Sequence, residues 1–168
     1  MNNITIRLAI PADAPDMAEV HMRSWEVAYN GFIPADYIRE KNAGRPALWQ
    51  RIITEENTTQ YVIQSDNKTV GIMCVALPQD DDVGEELYEL HGLYLHPDYF
   101  RQGIGTVAME FALNIARNLN KTQMTVWVFS DNTNSINFYK KCGFIADGST
   151  KILQCGKPLT TIRMRRKI

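Results

Sequence analysis

The chain is poor in the features that mark most specialised proteins. It has three cysteines, Cys74, Cys142 and Cys155, at wide and unrelated spacings. Such an odd set forms neither a disulfide framework nor a zinc spacing, and His21, His91 and His96 add no HxxxH pair. Free, mostly buried thiols in a reducing compartment are expected. Neither charge sign dominates: 18 Lys and Arg against 19 Asp and Glu leave a net charge of -1. That argues against a nucleic-acid binder relying on a strong basic field. The longest uninterrupted apolar run, Ile72 to Leu77, is six residues, against the roughly 20 needed to span a bilayer. The start, Met1-Asn2-Asn3-Ile4-Thr5-Ile6-Arg7, lacks the charged-then-apolar pattern of a secretion signal. A cytoplasmic protein with no membrane partner, no nucleic-acid partner and no metal is expected.

What is present reads as one domain over residues 1–168, with 45% apolar and 22% charged residues. Ile4, Ile6, Leu8 and Ile10 alternate as a first strand, stopped by Pro11. Asp13 is placed to cap a helix carrying Met17, Val20, Trp25 and Ala28, which ends at Gly31. Further helical stretches start near Pro34 and after Pro46, the latter with Leu48, Trp49, Ile52 and Ile53 as core face. Strands over 59–64 and 69–77 flank a hairpin turn, Ser65-Asp66-Asn67-Lys68. An acidic loop, Asp80, Asp81, Asp82, Glu85 and Glu86, leads into a strand over 87–95. A glycine-containing turn opens a helix with Ile104, Val107, Ala108, Phe111, Ile115 and Leu119 as its apolar face. A strand over 122–129 follows. A helix capped by Asp131 or Asn132 ends near Gly143, and two more strands surround a Gly156-Lys157-Pro158 turn. The order β-α-α-β-β-β-α-β-α-β-β predicts an α/β (α+β) domain, a mixed sheet flanked by helices.

The segment Arg101-Gln102-Gly103-Ile104-Gly105-Thr106 lies between a strand and a helix. Its glycines allow a ligand close to the backbone, and the helix start offers free N–H groups and a partial positive charge. Arg101 adds a planar cation suited to phosphate. The bland alternative is a glycine-eased loop before an amphipathic helix. Gly103 to Ala108 also fits GxGxxG/A, but seven residues separate the strand from the first glycine, and no Asp or Glu lies between Phe111 and Ser130. The dinucleotide-binding reading fails on both counts, and no Walker GKS or GKT follows.

Three ordered segments resemble the GNAT superfamily of acetyl-CoA-dependent N-acetyltransferases. They are Glu89-Leu90-His91-Gly92-Leu93-Tyr94-Leu95 with His96-Pro97-Asp98-Tyr99; then Arg101 to Thr106; then Asn132-Thr133-Asn134-Ser135-Ile136-Asn137-Phe138-Tyr139-Lys140-Lys141-Cys142-Gly143-Phe144. Two positions depart from the family pattern. Phe100 stands where Gln or Arg is usual, and Ser135 replaces Ala. The resemblance implies a mostly antiparallel twisted sheet of about seven strands and acetyl-CoA as co-substrate. It places Leu93, Tyr94 and Leu95 along the pantetheine arm and Arg101, Gln102, Gly103, Ile104, Gly105 and Thr106 at the pyrophosphate. It further implies that Asn132, Ser135, Phe138 and Lys141 lie beside the cofactor and that Tyr139 protonates the departing thiolate.

A thioester acylates an amine without a covalent enzyme intermediate, so Cys142 is expected as a packed thiol. An alkyl amine with a pKa of about 10.4 costs about 4–5 kcal/mol to deprotonate at pH 7. Glu89 or His91 can share that cost as base through a water, Glu89 being favoured. Two residues apart, they share a strand face unless a bulge intervenes. Trp25 and Tyr29, followed by Phe32, either shape an acceptor pocket together with Glu89 or pack as core. The acidic loop either draws a polycationic acceptor or is a solvated face. The leading expectation is acetyl transfer to a small primary amine such as a polyamine, by direct attack in a ternary complex. The alternatives are a protein N-terminal or lysine acetyltransferase and a non-catalytic acyl-CoA-binding sensor. A homodimer stays open.

Overall fold

The alternation from Ile4 builds β1 (Ile4–Leu8), an edge strand whose Ile4 and Ile6 meet the core while Leu8 is exposed. The computed structural model describes residues 3–55 and 59–168. After β1 come α1 (Ala14–Ala28), α2 (Ala35–Ala43) and α3 (Arg45–Thr54), then β2 (Gln60–Ser65), β3 (Lys68–Ala76) and β4 (Leu87–Leu95). The rest is α4 (Ile104–Asn118), β5 (Gln123–Phe129), α5 (Thr133–Lys141), β6 (Ile145–Gln154) and β7 (Pro158–Lys167). The stretches near Pro34 and Pro46 are the separate helices α2 and α3.

The seven strands lie in the order β1-β2-β3-β4-β5-β7-β6. Every neighbouring pair is antiparallel except β4–β5, which α4 joins as a crossover. The hairpin turn between β2 and β3 has Asp66 and Asn67 at φ 50° and 66°, the left-handed pair that matches strand twist in a two-residue turn. α4 covers one sheet face in the main core, with Val70, Leu90, Met124, Val126 and Met164 beneath it. α1 and α3 cover the other through Met17, Val20 and Trp49, which pack on Val62 and Ile72. Among the described residues no helix is long and apolar enough to cross a membrane.

Two local expectations are corrected. Asp13 does not cap α1 with its side chain. Its carboxylate accepts from Arg7 at 2.7 and 2.8 Å and from the Ile10 N–H at 2.8 Å, and the Arg7 bond holds its pKa below the usual range. The buried face of α4 is also rotated from the expected one. Ala108, Ala112 and Ala116 bring the helix close to the sheet, with Met109 and Leu113 beside them, and Val107 and Leu119 face solvent. Small residues four apart make a flatter contact stripe than the larger side chains do.

Candidate active site

β4 and β5 pair from Leu87↔Gln123 to Leu90↔Val126 and then come apart. Beyond that point β4 keeps only β3 and β5 keeps only β7. The facing edges of Leu93–Leu95 and Trp127–Phe129 therefore carry backbone groups without strand partners, which an amide-bearing chain can satisfy as an added strand. The local cause is a bulge. The register passes from Val75↔Leu90 to Cys74↔Gly92, leaving His91 unpaired on β3. An extra residue bends the strand, strengthens its twist and inverts the side-chain alternation. Tyr88 and Leu90 point into the α4-side core, and past the bulge so do Leu93 and Leu95. Tyr94 turns to the opposite face, with its ring 4.4 Å from that of His21.

Glu89 sits on the last paired stretch of β4, opposite Thr125, and is 7% exposed. Its Oε1 lies 3.4 Å from His91 Nδ1, so the bulge does not part the two residues. Its Oε2 is buried with no partner. Burial pushes the carboxyl above its usual range; nearby Asp80 adds to this, and His91, Lys151 and Arg163 oppose it. His91 Nε2 contacts the Leu77 carbonyl at 3.1 Å. A carbonyl only accepts, so Nε2 carries hydrogen and Nδ1 faces Glu89.

The turn after β4 is built for a backbone-held anion. Arg101 and Gly103 both adopt positive φ, at 60° and 81°. Nothing lies within 4 Å of where a Gly103 side chain would begin. The first bonds of the turn run from the Thr106 and Val107 N–H groups to the Gly103 carbonyl at 3.0 and 3.2 Å. The amides of Gly103, Ile104 and Gly105 have no backbone acceptor among the described residues. Three N–H groups at a fifteen-residue helix start fit a diphosphate. Gly105 serves a different need: a Cβ there would lie 3.2 Å from the Phe138 ring, so its absence lets α5 close on α4. Arg101 and Thr106 are exposed beside these amides, whereas the Gln102 side chain folds back to the Asp98 carbonyl at 2.8 Å.

Asn132 caps α5, its Oδ1 accepting from the Ser135 N–H at 3.1 Å. That fixes the helix carrying Phe138 and Tyr139, whose rings lie 5.3 Å apart; Lys141 is exposed on its last turn. Tyr139 is buried, and burial with neighbouring Tyr94 and Cys142 holds its hydroxyl protonated well above neutral pH. Burial likewise raises the Cys142 thiol, as expected of a packed cysteine.

Trp25 meets Tyr29 at 5.0 Å between centroids, and Tyr29 meets Phe32 at 5.5 Å and Phe129 at 5.3 Å. This aromatic wall stands where β5 leaves β4. A cleft of about 530 Å³ opens beside the loop between α1 and α2, lined by Glu26, Phe32, Ile33, Asn42 and Lys157 among others. The acidic loop is less free than its sequence implies. Asp80 accepts from Trp127 Nε1 at 2.9 Å and pairs with Arg163 and Lys151; Asp82 and Asp147 each meet Arg163 at 2.7 Å. Asp81, Glu85 and Glu86 remain exposed. Nothing in the sequence near Arg163 marks it as this hub, because its loop partners lie about eighty positions away.

The split parallel pair, the bulged β4 and the bare amides of α4 define an open-sheet fold with room for an anionic, amide-bearing ligand at the parted strands. The chain belongs to the acetyltransferase (GNAT) family, whose model matches residues 16–144. It is similar to an uncharacterized N-acetyltransferase of Methanocaldococcus jannaschii, 27% identical over 141 residues, with 83% of this chain and 60% of that protein covered. It is 35% identical over 89 residues to the peptidyl-lysine N-acetyltransferase YjaB of Salmonella typhimurium, 51% of this chain and 58% of that protein. The chain thus spans about three fifths of the length of these two relatives. It is 26% identical over 161 residues to spermidine N(1)-acetyltransferase of Thermoplasma acidophilum, covering 90% of this chain and 96% of that protein. Its fold matches that of the PaiA N-acetyltransferase of Thermoplasma acidophilum in complex with coenzyme A, with a TM-score of 0.81 and 20% identity over 99% of both chains. Acetyl-CoA is the co-substrate of this family, and the unpaired amides and strand edges described above fit it.

Proposed function

We propose that the protein moves the acetyl group of acetyl-CoA to a small primary amine, a class that includes polyamines, by direct attack in a ternary complex. The observation that carries this is a buried carboxyl, Glu89, with one oxygen unpartnered, on the last paired stretch of β4 before it parts from β5. A carboxylate there can take a proton, and the buried Tyr139 hydroxyl, held protonated, can give one.

In this reading Gly103, Ile104 and Gly105 hold the diphosphate through their amides, with Arg101 and Thr106 beside them and Gln102 bracing the turn. Leu93, Tyr94 and Leu95 supply the strand edge for the pantetheine, and Asn132, Ser135, Phe138 and Lys141 line its far side. The thioester supplies an activated acyl group. Glu89, through a water, takes the proton from the arriving ammonium. The freed amine attacks the thioester carbonyl, the carbon–sulfur bond breaks, and Tyr139 donates its proton to the departing sulfur and regains one from the acylated nitrogen. Trp25 and Tyr29 exclude water from the amine.

The name of the Thermoplasma spermidine enzyme supports a polyamine among the acceptors, and the name of the Salmonella relative supports a protein lysine. The aromatic wall of Trp25, Tyr29, Phe32 and Phe129 favours a small guest over a peptide. A thiol-release assay with acetyl-CoA across small amines and lysine peptides tests this. Release with small amines is expected. Release with peptides alone overturns the small acceptor, and binding of acetyl-CoA without release to any amine identifies a sensor.

A further inference from the structure

Arg45, the first residue of α3, is 7% exposed, yet no carboxylate lies within ion-pair distance of it among the described residues. Its guanidinium stacks on Trp25, 4.2 Å from the ring centre, and its Nε has no acceptor. The indole Nε1 of Trp25 is also buried without a partner. His21, whose ring is 5.7 Å from that of Trp25, accepts from Trp49 Nε1 through Nδ1 at 3.1 Å. Burial and Arg45 push its pKa down to about 3, so the ring is neutral. The proton then sits on Nε2, which again finds no acceptor. The nearest acidic side chain along α1, Glu26, is engaged by Arg23 and by Asn42 Nδ2. The buried Asn42 Oδ1 is a further orphan, an acceptor on the α2 side.

Two buried donors, Trp25 Nε1 and His21 Nε2, thus adjoin the Arg45 guanidinium, and no carboxylate among the described residues answers them. A cation–π contact offsets only part of the cost of a buried guanidinium. The cluster also has the right place. It adjoins the aromatic wall through Trp25, whose ring lies 5.0 Å from that of Tyr29, and through His21, 4.4 Å from Tyr94.

We propose that Arg45, Trp25 and His21 form a subsite for an anionic group on the acceptor, so that the preferred amine is one that also bears a carboxylate. This rests on the amine acetyltransferase reading and narrows it away from purely cationic polyamines. A planar guanidinium with a neighbouring indole N–H and imidazole N–H matches the two oxygens of a carboxylate.

The test compares amino acids with the amines left when their carboxylate is removed, such as lysine against 1,5-diaminopentane and phenylalanine against phenethylamine. Phosphoethanolamine against ethanolamine separates phosphate from carboxylate as the anion. At least one carboxylate-bearing member should exceed its partner in kcat/KM by about tenfold or more. Arg45→Met should collapse that ratio toward one, leave coenzyme A affinity unchanged by calorimetry and raise the Tm of the ligand-free protein. Arg45→Lys should give an intermediate ratio, and it serves if the Met variant does not fold. Equal or reversed ratios in the wild type, or a ratio undiminished in either variant, overturn the subsite, and a phosphate-only preference overturns the carboxylate. If coenzyme A binds but no amine is acetylated, the transfer reading fails by itself. The subsite is then decided by whether the carboxylate members raise the Tm of the wild type and not of Arg45→Met.

Discussion

Oε1 of Glu89 lies 3.4 Å from Nδ1 of His91, and the opposite edge of that imidazole is held by the Leu77 carbonyl at 3.1 Å. The carbonyl fixes the tautomer, so any proton between the two residues belongs to their contact. Burial raises the Glu89 pKa, and its second oxygen is left without a partner. A base placed in this way is strong when ionised and is lost as pH falls.

Glu89→Gln should therefore lower kcat by roughly 10²-fold. The wild-type rate should fall as pH drops through the raised carboxyl pKa, and that acid limb should vanish in the variant. Stability should behave oppositely. A carboxyl whose folded pKa is raised stabilises the fold below its unfolded pKa, and this is lost as pH rises through the folded value. At neutral pH the Gln variant should melt no lower than the wild type, measured by calorimetry alongside the pH-rate profile.

Tyr139→Phe keeps the ring that packs on Phe138 and Phe144. It should reduce kcat by about tenfold or more while leaving the acetyl-CoA KM nearly unchanged. Because burial raises the hydroxyl pKa, the alkaline limb of the wild-type profile should persist in the variant. Unchanged turnover at saturating substrates would remove Tyr139 from the proton path.

Gly103→Ala places a side chain at φ 81°, a conformation that costs an L-residue about 1–2 kcal/mol. The space around it is open, so the fold should survive while the amides tilt. Coenzyme A should bind more weakly, with little change in kcat at saturation. Gly105→Ala should instead push on Phe138, whose ring would lie 3.2 Å from the new Cβ, and lower both Tm and coenzyme A affinity.

Arg163→Leu removes the cation that joins Asp80, Asp82 and Asp147. With the side chains of Arg163 and Asp80 3% and 6% exposed, removing the cation should lower stability at neutral pH, Lys151 and Arg165 offsetting part of the loss. Burial alone would raise Asp80 and Asp147, but their hydrogen bonds outweigh it and hold both pKa values low, as the Arg163 bond does for Asp82. That stability is present above the unfolded carboxylate pKa and is lost as pH falls through the folded values. The gap between wild type and variant in denaturant titrations should shrink toward acid pH.

Much of this was readable along the chain because it is local. The β2–β3 turn, the cap of α5 and the glycine turn before α4 each rest on residues a few positions apart; the two turns appear where the pattern put them, and of Asp131 and Asn132 it is Asn132 that caps. The bulge at His91 had no such signal, since strand alternation simply continues through Glu89, His91 and Leu93 until register with β3 is known. The Arg163 hub and the unpartnered Arg45 were invisible for a related reason. One gathers carboxylates from distant segments, and the other is defined by an absence of partners that only packing reveals. The acidic loop was misleading in the same way, because two of its carboxylates already had cations across the sheet.

If the bare amides of the Gly103 turn and the parted strands β4 and β5 hold acetyl-CoA, isothermal titration of the folded protein with coenzyme A should give saturable one-to-one binding, weakened by Gly103→Ala and left intact by Tyr139→Phe. No heat from a protein that melts cooperatively, or binding indifferent to Gly103→Ala, would overturn that assignment.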